Sequence, residues 1–174
     1  MGYFPRTTEP YQRRYRDRDQ DWAHSGPHAF RKLAFSLLDM ALVTGLVLRL
    51  GRAALLGYVG ESDGQLFATA ILLGLVFLFG MTALHLGNFP LRHWVFRAPA
   101  FGLAVGAVEA ATSLVLIAAG REPYGSSQAT FVDWLNMAVA IVPWRLALVV
   151  AFAAVLALIV QSLRVATLRR REQL

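Results

Sequence analysis

The segment Leu66–Leu86 contains no Asp, Glu, Lys or Arg, and this feature constrains the fold more than any other. A helix of about 20 apolar residues is what a chain needs to cross the roughly 30 Å hydrocarbon core of a bilayer, whereas a soluble helix keeps a polar face. The whole chain is also strongly apolar, with 56% hydrophobic and 16% charged residues and a mean hydropathy of +0.48. The sequence therefore predicts a small integral membrane protein.

The apolar stretches predict an all-α fold with four transmembrane helices. Glycines 57, 60 and 64 interrupt the pattern after the first stretch, and Gly87, Asn88 and Pro90 end the second. The expected organisation is a polar, basic tail (1–32), a transmembrane domain (33–166) and a short basic tail (167–174). Within the domain, the predicted spans are 33–56, 66–86, 98–119 and 144–165.

The last apolar stretch, 131–166, is too long for one span, since about 36 helical residues would extend roughly 54 Å. Pro143 lacks a backbone donor and disfavours the preceding helical turn, so it marks a natural break. We expect an interfacial or re-entrant helix over 131–142, followed by the fourth span. The alternative is one kinked, tilted helix.

Basic residues predict the orientation. Thirteen of the 17 lie in the two tails and the second connection, whereas Arg49, Arg52 and Arg121 lie on the opposite side. We therefore expect a multi-pass protein of a bacterial inner (cytoplasmic) membrane with both termini in the cytoplasm. Topology accounts for the net charge of +6, so no nucleic-acid partner is expected.

Three charged residues of the predicted apolar segments are the candidate polar groups within the membrane. Asp39 and Glu109 are either paired carboxylates at helix contacts or part of an ion pathway. Arg145 snorkels to lipid phosphate if the chain breaks at Pro143, but a continuous helix would bury it and require Asp39 or Glu109 as its partner. Glu109 lies beside a small-residue face formed by Gly102, Gly106 and Ala110, which favours close helix packing.

His85, near the cytoplasmic end of the second span, is the candidate ligand for a haem or a (bacterio)chlorophyll. The simpler interpretation is an interfacial histidine bonded to a carbonyl group or a lipid headgroup. We expect no required cofactor, although lipid is a candidate ligand. Contacts with lipid or a protein partner are expected from basic and aromatic residues outside the spans: Arg13, Arg14, Arg16, Trp22, Arg92, Trp94, Arg169, Arg170 and Arg171.

Catalytic motifs are absent from the sequence. The chain has no cysteine, no phosphate-binding glycine loop and no H-E-x-x-H motif, and its loops are too short for a catalytic domain. We therefore predict a protein that is not an enzyme and has no metal site.

The segment Phe89–Val95, FPLRHWV, resembles the connection after the second span in the phosphate-starvation-inducible protein E (PsiE) family. That resemblance implies a four-helix inner-membrane protein with a basic C-terminal tail, and it implies no chemistry. The long N-terminal tail, the longer third loop and Pro143 depart from the family pattern.

The sequence predicts a non-catalytic accessory subunit of a larger respiratory or photosynthetic membrane complex. Small-residue helix faces and a basic tail with aromatic residues suit docking to other integral membrane subunits. One alternative is a small homo-oligomeric channel or transporter that uses Asp39 and Glu109. Another is a stand-alone PsiE-like stress protein.

Overall fold

The structure, a computed structural model, describes residues 36–57, 63–125 and 127–172. Most of these residues are helical, as the sequence predicts. The helices are α1 (Leu37–Leu56), α2 (Gly64–Gly87), α3 (Trp94–Ala118) and α4 (Trp134–Glu172). A 3-10 helix (Leu91–His93) joins α2 to α3, and the two-residue strands β1 (Pro123–Tyr124) and β2 (Ser127–Gln128) form an antiparallel hairpin before α4.

Three helical segments are long and apolar enough to cross a membrane: Gly64–Gly87, Leu91–Ala118 and Trp134–Leu163. The prediction of an α-helical membrane protein agrees with this finding. Helix α1 has 20 residues but carries three charged side chains, Asp39, Arg49 and Arg52. Length and composition therefore support three of the four predicted spans.

Two helices begin at side-chain caps. Ser36 Oγ accepts a hydrogen bond from the backbone N–H of Asp39 at 3.3 Å, and Asp63 Oδ1 accepts from the N–H groups of Gln65 and Leu66 at 2.9 and 3.1 Å. These bonds satisfy donors that the first helical turn leaves open. Asp39 thus lies exposed in the first turn of α1, near the positive end of the helix dipole. The predicted first span, 33–56, would place Asp39 a third of the way along it, whereas the structure places this residue at the start of α1.

The expected break at Pro143 is wrong, because α4 is one continuous helix of 39 residues. At 1.5 Å per residue it extends roughly 58 Å, longer than a hydrocarbon core. The alternative of one helix through Pro143 is therefore the one found, and α4 packs against α3 on both sides of the proline. A Cβ atom on Gly106 would lie 2.9 Å from Val142 Cα, and one on Gly102 would lie 2.9 Å from Leu146 Cα. Neighbouring helices commonly allow a proline inside a membrane helix in this way.

Helix α3 is the packing centre of the bundle. It meets α4 through Gly102 and Gly106 and meets α1 at Gly45, where an added Cβ would lie 2.7 Å from Val108 Cβ. The main apolar core is made of buried residues from all four helices, including Met40, Leu78, Phe101, Val105 and Val149. Most of the outward faces of α2 and α4 are exposed apolar side chains, as expected for helices in lipid.

Candidate functional site

The loop after α3 forms a compact lid over one end of the bundle. Helix α3 ends in a Schellman motif: Gly120 has a φ of 62°, its N–H donates to Ile117 O at 2.9 Å, and Arg121 N–H donates to Leu116 O at 2.9 Å. The β1–β2 hairpin follows and turns at Gly125, whose φ is 57°. This geometry directs Glu122, the residue after Arg121, back toward the helices.

Glu122 is fully buried and forms an ion pair with α1. Its Oε2 accepts a hydrogen bond from Arg49 Nε at 3.1 Å, and its Oε1 accepts from Arg49 Nη2. The Nη1 atom of Arg52 lies 3.5 Å from the same Oε1. Gln128 Nε2 also donates to Gly57 O at 3.2 Å, so the hairpin is held to the end of α1 at two points.

The pKa values of two loop carboxyl groups are shifted in opposite directions, for different physical reasons. Burial raises the pKa of Glu122, and the nearby guanidinium groups of Arg49 and Arg52 oppose that rise. The pKa of Asp133 is lowered, because the Thr130 hydroxyl and backbone N–H donate to its Oδ2 at 2.7 and 2.9 Å. Asp133 thereby orders the turn that leads into α4.

A second ion pair joins α3 and α4 inside the bundle. Arg145 Nη2 donates to Glu109 Oε2 at 3.0 Å, and Arg145 Nε donates to Glu109 Oε1. The carboxylate is buried and the guanidinium mostly so. Arg145 therefore does not snorkel to phosphate as we expected. It is the buried cation that a continuous α4 requires, and Glu109 is its partner.

A cavity of about 430 Å³ lies beside the two ion pairs. Helix α1 contributes one apolar and two basic side chains, α2 contributes small and apolar residues, and α4 contributes most of the remaining wall. Glu109 of α3 and Tyr124 of the hairpin complete the lining. The basic lining residues are Arg49, Arg52 and Arg145. A pocket of this size is in the usual range for small-molecule sites.

The arginine side chains at this cavity are more exposed than the glutamate side chains with which they pair. The side chains of Arg52 and Arg145 are 26% and 17% exposed, whereas those of Glu122 and Glu109 are 0% and 2% exposed. The partly exposed charged side chains at this cavity are therefore arginines, whereas the carboxylates beside it are buried. Three arginines against two glutamates also leave a formal charge of +1 among these five residues. The accessible chemistry is that of an anion site.

His85 lies far from this cavity's lining and deep in the bundle. Its ring is fully buried, stacks on Phe101 with centroids 4.9 Å apart and planes at 20°, and lies 5.5 Å from the Phe89 ring. His85 lies in the last turn of α2, near the end of that helix as predicted, but its burial rules out contact with a lipid headgroup.

The connection between α2 and α3 folds on itself. Trp94 is buried and its Nε1 donates to Phe89 O at 2.9 Å, so it is not the lipid or partner contact that we expected. Arg97 Cζ lies 3.4 Å from the centroid of the Phe89 ring, at a distance typical of a cation–π contact. Arg92 is exposed, as a surface contact requires.

The structure does not describe the side chains of the remaining residues that were predicted to contact lipid or a protein partner. Arg13, Arg14, Arg16 and Trp22 lie outside the described residues, as do the side chains of Arg169, Arg170 and Arg171. The small-residue face is placed at the contact between α3 and α4, where Ala110 O accepts from Trp134 Nε1 at 2.9 Å.

Sequence reasoning missed the pairing of Glu122 with Arg49 and Arg52. A signal was present, since two arginines near the end of an apolar helix require an anion on the same side of the membrane. The candidates there were few, and Glu122 was one of them. Its loop position gave no indication that it is buried.

Across residues 36–57, 63–125 and 127–172, no group of three or more His, Asp or Glu side chains could hold a metal ion. Comparison of the chain with family models, curated proteins and solved structures gives no match. The site must therefore be interpreted from its own geometry.

Proposed function

We propose that this protein is a non-catalytic membrane protein that binds an anionic ligand in the cavity between α1, α2 and α4. The observation that carries the proposal is the difference in exposure between the cations and the carboxylates. Arg52 and Arg145 line the cavity with partly exposed side chains, while Glu109 and Glu122 are buried against their guanidinium partners. Guanidinium groups bind carboxylates and phosphates through paired hydrogen bonds.

A catalytic role has little support in this geometry. Both glutamates are buried and accept paired hydrogen bonds from arginines, so neither carboxyl group is presented to a ligand as a general acid or base. The cavity lining contains no Ser, Cys, His or Lys among the described residues. A site of this kind holds and orients a ligand.

The ion-pathway alternative is also less well supported than binding. It requires Asp39 and Glu109 to line one path. Asp39 lies in the first turn of α1, however, roughly 15 Å along that helix from Arg49, the residue that lines the cavity together with Glu109. Glu109 is paired with Arg145. The two carboxylates therefore do not share one polar pathway.

The proposal includes a four-span arrangement with α1 as the additional span. The charges of Arg49 and Arg52 are directed to Glu122 within the bundle, so they need not face lipid. By the distribution of basic residues, the cavity and hairpin lie at the end away from the cytoplasm of a bacterial inner membrane. The accessory-subunit role depends on the N-terminal tail, outside the described residues, and it stays a prediction together with the PsiE resemblance.

Binding is tested by thermal unfolding of the protein in an uncharged detergent during titration with decyl phosphate. We expect a saturable rise in Tm for the native chain and at least tenfold weaker binding for Arg52→Gln, since a hydrogen bond to a charged group contributes about 1.5–3 kcal/mol. Arg92→Gln, which removes an exposed arginine at the other end of the bundle, is the matched control. Equal titration curves for both variants would contradict the proposal.

A further inference from the structure

We infer that the ligand is an oxyanion on an acyl chain, and that it enters the cavity sideways from the bilayer between α2 and α4. This inference rests on the proposed anion-binding function and specifies its ligand class. Four observations support it: the position of the mouth, its depth, the closed end of the gap and the chemistry of the walls.

The exposure of the lining residues locates the mouth. Ile71 of α2 and Ala140 and Trp144 of α4 are exposed, whereas Leu48 of α1 and Glu109 of α3 are buried. The cavity floor is thus formed by α1 and α3, and its open side lies between α2 and α4.

The mouth lies at bilayer depth. Ile71 is within the candidate span Gly64–Gly87 and Trp144 is within Trp134–Leu163. At 1.5 Å per residue, Ile71 lies about 10 Å from the start of α2 and Trp144 about 15 Å from the start of α4. An opening at that depth faces acyl chains, because the hydrocarbon core is roughly 30 Å thick.

The gap between α2 and α4 closes toward the other end of the bundle. There, Phe79 and Phe152 meet edge to face, with ring centroids 5.3 Å apart and planes at 89°. The two helices therefore form a blind wedge that is open only at the end containing the arginines. A chain that enters the wedge is directed along the bundle and not through it.

The walls of the wedge suit a hydrocarbon chain. Phe67 and Leu75 of α2 line it together with Met137 and Ile141 of α4. A small soluble anion would leave this apolar surface uncovered, whereas an acyl chain would bury it at about 25 cal/mol per Å². Arg52 and Arg145 then bind the carboxylate or phosphate head. The ligand chemistry is shared by an anionic phospholipid and a free fatty acid.

Native mass spectrometry of the full chain tests this inference, with four probes: phosphatidylglycerol, oleate, uncharged dioleoylglycerol and inorganic phosphate. We expect binding of phosphatidylglycerol or oleate at least tenfold tighter than that of the other two. Preference for the first identifies a phospholipid as the source of the oxyanion, and preference for the second identifies a fatty acid. Either preference supports the inference.

Ala140→Trp tests the lateral mouth, because it places a bulky side chain on an exposed rim position of α4. The matched control is Ala154→Trp, at an exposed position of the same helix that does not line the cavity. We expect at least a tenfold loss of acyl-oxyanion binding for the first variant and none for the second. Equal binding by the two variants overturns the lateral route.

Two further results separate this inference from the proposed function. If inorganic phosphate binds as tightly as the lipids and Arg52→Gln weakens it, the acyl-chain inference is wrong and anion binding stands. If no probe binds, or if dioleoylglycerol binds as tightly as phosphatidylglycerol, both fail.

Discussion

Arg145 of α4 donates a hydrogen bond of 3.0 Å to Glu109 of α3 from a position just beyond a proline in the same helix. Both residues lie within candidate membrane spans. Charges in such a setting are tolerated only as a pair, because either one alone would be a poorly solvated ion. The pair therefore links the continuity of α4 to its packing on α3.

Replacing one partner of this pair is expected to destabilise the bundle. Glu109→Gln leaves a mostly buried guanidinium without its counter-charge, so we expect a loss of about 3 kcal/mol in the free energy of unfolding. The measurement is detergent-induced unfolding followed by circular dichroism. The double variant Glu109→Leu/Arg145→Met should lose less than the single one, and a greater loss in the double variant would contradict this account of the pair.

The ion pair between Glu122 and the arginines of α1 should hold the β1–β2 hairpin in place. Glu122→Ala removes the carboxylate from Arg49 and Arg52, and we expect roughly 3 kcal/mol less stability with faster amide hydrogen exchange over residues 119–130. Arg121→Gln is a control at an exposed charged side chain of the same loop. Exchange that is unchanged in Glu122→Ala would mean that the hairpin does not depend on this pair.

Gly106 should tolerate no side chain, because a Cβ there would lie 2.9 Å from the Cα atom of Val142. Gly106→Ala must push α4 away from α3, and we expect a loss of about 1–3 kcal/mol on detergent-induced unfolding. Gly80→Ala is the matched control, since a Cβ at that helical position meets nothing within 4 Å. Its expected effect is neutral or slightly stabilising, by up to about 1 kcal/mol.

The continuity of α4 through Pro143 is measurable as a distance. The chain has no cysteine, so Leu135→Cys and Val155→Cys introduce two spin-label sites at exposed positions. A continuous helix separates the two Cα atoms by about 30 Å, whereas a right-angled break at the proline would bring them to about 22 Å. Pulsed electron paramagnetic resonance distinguishes these values. The distance in Pro143→Ala should match that of the native sequence.

Apolar runs were enough to predict α1, α2 and α3, but not that the last stretch forms one helix. The second predicted span, 66–86, differs from α2 (Gly64–Gly87) by only two residues at its start, because Asp63 caps the helix and Asn88 ends it. The third span was predicted to begin at residue 98 but α3 begins at Trp94, since Trp94 is drawn into the helix by its bond to Phe89. Local chemistry moved these boundaries by a few residues.

The ion pairs depend on contacts that no local pattern contains. Pro143 alone favours a break, but α4 continues through it where Val142 and Leu146 pack against two glycines of α3. Likewise, Glu122 is directed at Arg49 by the Schellman turn at Gly120 and the hairpin that follows. The sequence contained the charges, but which of them meet is decided by tertiary packing.

The partner of Arg49 is synthesised late. Glu122 follows it by 73 positions in the chain, so at the usual 5–20 residues per second a ribosome requires roughly 4–15 s to supply the counter-charge. During that interval α1 carries two arginines whose carboxylate does not yet exist. In the four-span arrangement, stable integration of the first helix must therefore wait for the third loop. Nascent chains arrested before residue 122 should expose α1 to glycosylation or chemical labelling that longer chains resist.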